Sequence, residues 1–138
     1  MKSDNCRKTL ILAIISLFIC GFEAMAQQQN GDGPDVYEQA EEEANRLERI
    51  LHLEDWQTFY VDSTLKHDYP AMMEEIEKLR AAKITNVSIF QEVQDKWWDK
   101  IDASYRRIFN DEQWKAYLKN GAGKAQKLRE KRKAKRAE

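Results

Sequence analysis

The sequence predicts an all-α fold, on three observations. Apolar residues recur at steps of three and four along most of the chain, as they do on one face of a 3.6-residue helix. Proline occurs only at Pro34 and Pro70, and glycine lies mainly toward the ends. No stretch alternates polar and apolar residues between turn signals, as a half-buried strand would.

The stretch from Pro70 to Phe109 organises the rest. Met73, Ile76, Leu79, Val87, Phe90, Val93, Trp97, Ile101, Tyr105 and Ile108 form one apolar stripe. One continuous helix over this range would be about 60 Å long. That exceeds what a compact domain of this size requires, so shorter elements or a second copy must cover it. Its weakest point is Ile84–Ser88, where Ile84, Thr85, Val87 and Ile89 are β-branched and Ser88 with Gln91 could cap a new start.

The chain of 138 residues opens as an export signal does. Lys2, Arg7 and Lys8 precede a short apolar run from Leu10 to Phe22, and Ala24-Met25-Ala26 offers a small-x-small cleavage site. The expected mature chain begins at Gln27. The alternatives are lipidation at Cys20, disfavoured by Ile19 before it, and retention as an uncleaved anchor. Both cysteines, Cys6 and Cys20, fall inside the signal, so the exported chain would fold by packing alone, without a disulfide or a thiol nucleophile. About 110 residues suffice for one modest core.

Residues 27–34 read as a polar, disordered leader. Asp35 caps the first expected helix, with Glu38 at the capping-box position. Its apolar face is Val36, Ala40, Ala44, Leu47 and Leu51, beside Tyr37 and Ile50, and it ends near His52. A second helix opens at Leu53–Gln57, is anchored by Trp56, Phe59, Tyr60 and Leu65, and ends before Pro70, because the residue before proline is pushed out of the helical region. Phe109–Gln113 opens a short helix carrying Trp114, Tyr117 and Leu118, which stops at Asn120-Gly121. Residues 35–120 thus form one helical domain of four helices, an extended bundle or hairpin around the long central one. Residues 121–138 are Lys/Arg-rich with Leu128 as the one large apolar side chain, and read as a frayed basic tail.

Charge is unevenly laid out, although the net charge is only -1. Residues 30–62 carry ten acids against Arg46 and Arg49, and residues 119–138 nine bases against Glu130 and Glu138. Opposite ends of this kind attract each other or face different partners.

The two helix openings carry a resemblance. Leu53-Glu54-Asp55-Trp56-Gln57 and Phe109-Asn110-Asp111-Glu112-Gln113 look like the paired LTxxQ motifs of the Spy/CpxP family of periplasmic proteins. Glu54 stands where that family has Thr, and Phe109-Asn110 replaces Leu-Thr. The resemblance spans residues 36–119. It implies a thin, curved, antiparallel homodimer in the periplasm that cradles unfolded or stress-damaged proteins without ATP. Other members dock on an envelope-stress sensor, and some relatives bind metal. Leu53, Gln57, Phe109, Asn110 and Gln113 carry over as structural motif residues.

Adaptable apolar contact points to Tyr69, Met72, Met73, Trp97 and Trp98 as residues for a client or partner. Periodicity puts Met73 and Trp97 in the core and leaves Met72 and Trp98 more exposed. His52 and His67, the only histidines, lie about 20 Å apart by helical rise, too far for one protomer to share a metal. Glu41, Glu42 and Glu43 point in different directions as a solvated face. No catalytic constellation, metal site or cofactor is expected. An exported chain makes nucleic acid an unsuitable partner for the basic tail; a plain solubilising role is favoured slightly over a membrane surface, acidic clients or the acidic first helix of a second copy.

Overall fold

The computed structural model describes residues 35–137. The expected export signal, the leader and both cysteines lie outside the described residues. The described chain is all-helical: α1 (Val36–Leu51), α2 (Asp55–Ala81), α3 (Val87–Ile108), α4 (Asp111–Tyr117), a π-turn (Leu118–Ala122) and α5 (Gly123–Arg136).

α1 follows from its sequence. Asp35 Oδ1 accepts the Tyr37 N–H at 3.1 Å, and Ala40, Ala44, Leu47 and Leu51 are buried at steps of three and four. The helix ends on His52, which holds a left-handed φ of 51° as its C-cap.

α2 and α3 differ from expectation. No single helix spans Pro70–Phe109. α2 runs without interruption through Pro70 to Ala81, the chain breaks at residues 82–86, and α3 starts afresh. Pro70 forfeits the bond to the carbonyl of Lys66 but does not end α2. Helix on both sides of it is fastened to the same neighbour: Asp68 accepts Lys100 Nζ at 2.9 Å, and Glu75 accepts Lys96 Nζ at 2.6 Å and Trp97 Nε1 at 2.8 Å. Tertiary packing thus overrides the local signal. The break falls within the β-branched stretch, but Asn86 rather than Ser88 caps α3, accepting the Ser88 N–H at 3.0 Å. The order of the partners, 68 with 100 and 75 with 96, makes α2 and α3 antiparallel.

The main core gathers Leu47, Leu51, Leu53, Val61, Leu65, Ile101, Tyr105, Phe109 and Tyr117, with Ala40 and Ala44 allowing close approach of α1. Tyr105, Phe109 and Tyr117 form a ring cluster with centroids 5.1–5.7 Å apart. Trp56, Phe59 and Tyr60, expected as anchors, instead face solvent, while Val61 and Leu65 anchor α2.

The basic C-terminal segment is a docked helix, not a frayed tail. Asn120 and Gly121 kink the chain, and Gly121 takes φ 116°, a conformation natural to glycine, but helix resumes immediately. α5 has no apolar face to bury. It is held by Arg129 to Asp99 and Asp102, Arg132 and Arg136 to Asp95, and Lys133 to Asp99. Pairing 95 with 132 and 102 with 126 sets α5 antiparallel to α3.

Candidate functional site

The two helix openings meet in space. Leu53 and Phe109, the apolar first residues, are both buried, and Gln57 and Gln113 point at each other. Gln57 Nε2 donates to Gln113 Oε1 at 2.7 Å, and Gln113 Nε2 donates to Gln57 Oε1 at 2.9 Å. Each amide nitrogen also donates to the last carbonyl before the other motif: Gln57 to Ile108 at 2.9 Å, Gln113 to His52 at 3.4 Å. Each amide oxygen also accepts its own helix cap, Glu54 N–H at 3.0 Å and Asn110 N–H at 3.0 Å. Asn110 Oδ1 returns a bond to the Gln113 N–H at 2.9 Å. Both buried amides therefore use their full complement of two donors and two acceptor sites. The arrangement is chemically inert. It clamps two chain reversals together and orients the surfaces around them.

Among Tyr69, Met72, Met73, Trp97 and Trp98, none is fully exposed; all five are half-buried. The ring of Tyr69 meets Trp98 edge-on at 6.0 Å, and both pack on the main core. Burial raises the Tyr69 phenol pKa well above its ordinary value, with the Glu43 carboxylate adding to it. Trp97 is pinned on the α2–α3 surface: its N–H reaches Glu75, and Lys100 and Lys96 lie over its ring at 4.5 and 5.5 Å. Trp98, not Trp97, is thus the one against the main core, the reverse of the expectation.

The large exposed apolar surface lies elsewhere, on the outer face of α2. Trp56, Phe59 and Tyr60 are 51%, 65% and 54% exposed. Tyr60 touches Trp56 and Phe59 edge-on at 6.3 and 5.6 Å, and Trp56 Nε1 donates to Glu54 Oε2 at 2.7 Å. These three adjoining aromatics share one exposed helix face, in contact with each other and, through Trp56, with Glu54.

The aspartate ladder on α3 was overlooked in the sequence. Asp95, Asp99 and Asp102 stand at i, i+4 and i+7, and Arg129, Arg132, Lys133 and Arg136 repeat at matching steps. That complementary period was the available signal. Burial opposes the Asp95 charge, but Arg132 and Arg136 outweigh it and hold the carboxyl below its ordinary range; Lys133 and Arg129 do the same for Asp99. Asp102 accepts from Tyr117 Oη at 2.7 Å, and the Tyr117 phenol is pushed far up by burial and by that carboxylate.

His67 Nδ1 lies 2.7 Å from Asp68, which also holds Lys100, and His52 is exposed at its helix end. Among the described residues, no group of three or more His, Cys, Asp or Glu is arranged to hold a metal ion, and no helix is long and apolar enough to cross a membrane. In comparisons with family models, curated proteins and solved structures, none matches the chain.

Proposed function

We propose that this protein is an ATP-independent, chaperone-like binder of unfolded or stress-damaged proteins, exported to the periplasm and acting as a homodimer. The observation that carries the reading is the exposed Trp56–Phe59–Tyr60 face, on a helix whose opposite side is well packed. The LTxxQ-like openings and the export-type N-terminus supply its context. Binding, rather than catalysis, is the proposed mode. Clients would meet this aromatic face first, with Met72, Met73 and Trp97 at half-buried positions contributing only where α2 and α3 give way.

A second reading follows from the contacts within the patch. Interlocked rings and the Trp56–Glu54 hydrogen bond suit one shaped partner better than many. In this reading the protein docks on a folded envelope-stress sensor. One experiment separates the two. Aggregation of a heat-unfolded test protein is followed with and without the protein at near-stoichiometric amounts. Suppression that falls away in W56S/F59S/Y60S supports client binding. No suppression across several clients, with saturable capture of one folded envelope protein, supports the regulator.

A further inference from the structure

α5 has two differently employed basic faces. Its arginine side is engaged: Arg129 is buried against Asp99 and Asp102, and Arg132 binds Asp95 at 2.5 Å. Its other side carries Lys124, Lys127, Lys131 and Lys135, at steps of three, four and four, which places them on one helical stripe about 16 Å long. All four are exposed, and none forms an ion pair with a described residue. Leu128, 47% exposed, stands in the same stripe.

We propose that this outer face of α5 binds the headgroups of anionic phospholipids at a membrane surface. The aspartate ladder fixes the helix by its arginines, so the lysines are presented in a row rather than spent on folding. Lysine is a point charge on a flexible stem and adapts to mobile phosphates, whereas the bidentate fork of arginine suits the fixed carboxylates on the inner side. Leu128 adds an apolar contact at the headgroup boundary. The competing occupant is the acidic face of α1 in a second copy. That face is already partly neutralised, since Glu41 lies 3.7 Å from Lys66 and Glu43 pairs with Arg46 at 2.6 Å. A layer of anionic headgroups keeps a net negative charge over the whole length of the stripe.

The test is co-sedimentation of the full chain with phosphatidylcholine vesicles, with and without phosphatidylserine, at low and at high salt. The apolar run Leu10–Phe22, with Lys2, Arg7 and Lys8 before it, would also partition and respond to headgroup charge. The readout is therefore the part of the difference between anionic and neutral vesicles that the four α5 lysines supply, taken between the full chain and its glutamine variant. Phosphatidylserine is expected to raise binding, and high salt to abolish the gain. Each lysine contributes about fivefold, so K124Q/K127Q/K131Q/K135Q should lose the gain by about a hundredfold or more, with unchanged helicity by circular dichroism. The corresponding four-arginine variant should keep most of it. Equal binding to both vesicle types, or an unchanged gain in the glutamine variant, overturns the proposal. So does salt-sensitive self-association without lipid that the same glutamine variant abolishes, which assigns the stripe to a second copy.

Discussion

Gln57 and Gln113 illustrate how a single polar side chain can serve structure at two places at once. Each closes its own helix opening and caps the preceding reversal of the other. Removing one leaves the other buried amide short of one donor and one acceptor contact. Gln57→Leu should therefore cost about 2–3 kcal/mol in urea unfolding, and the double variant Q57L/Q113L less than twice that, since no orphaned amide remains. Tyr105 presents the opposite case. Its hydroxyl is buried without a hydrogen-bond partner, and burial drives its pKa well above the ordinary value. Tyr105→Phe removes a desolvated polar atom and keeps the ring contacts to Phe109 and Tyr117. It should be neutral or stabilising by up to about 1 kcal/mol, read as an upward shift in Tm.

Two helices behave in ways their local sequence opposes. α2 carries Pro70 in its interior, where the missing N–H and the ring cost up to about 3 kcal/mol. Pro70→Ala should thus stabilise the protein by about 1–3 kcal/mol, measured by denaturant midpoint, with no change in the helix boundaries. α5 depends on charge instead of apolar burial. The folded-state pKa values of Asp95 and Asp99 lie below their ordinary 3.8, so their contribution is complete above that value and is lost as pH falls through the depressed folded values. α5 should remain docked at pH 5 and detach only well below pH 4, seen as accelerated amide exchange in residues 123–136 while α1–α3 stay protected. Asp95→Asn should move that release toward neutral pH, because Arg132 and Arg136 lose their common partner.

For the whole molecule, the proposed function puts binding on a surface separate from the packed core that carries stability. The core of Leu47, Leu65, Ile101 and Tyr105 faces inward, while Trp56, Phe59 and Tyr60 face outward from the same bundle. W56S/F59S/Y60S should shift stability by no more than about 0.5 kcal/mol per site, since exposed side chains lose little on truncation. A parallel drop in Tm and aggregation suppression would instead make the patch structural. The expected half-buried set, Tyr69 and Trp98 above all, should behave in the converse manner: Trp98→Ala lowers stability by several kcal/mol through lost packing.

The all-helical class, the face of α1, both junction openings and the residues of the main stripe near Ile101 and Tyr105 were legible in the sequence, because they depend on period and capping between near neighbours. Helix α2 crossing Pro70, the break at residues 82–86 and the outward turn of Trp56, Phe59 and Tyr60 were not. Each depends on which neighbour lies across the bundle: Lys100 and Lys96 hold α2 on either side of the proline, and among the described residues no helix covers the aromatic face. The basic segment shows the same division. Its composition by itself showed a segment with no apolar face to bury, which read as a frayed tail, and only the tertiary structure set Asp95, Asp99 and Asp102 opposite it. A buried carboxylate must be paired, and those carboxylates turn an otherwise solvated segment into a docked helix with its lysines facing out.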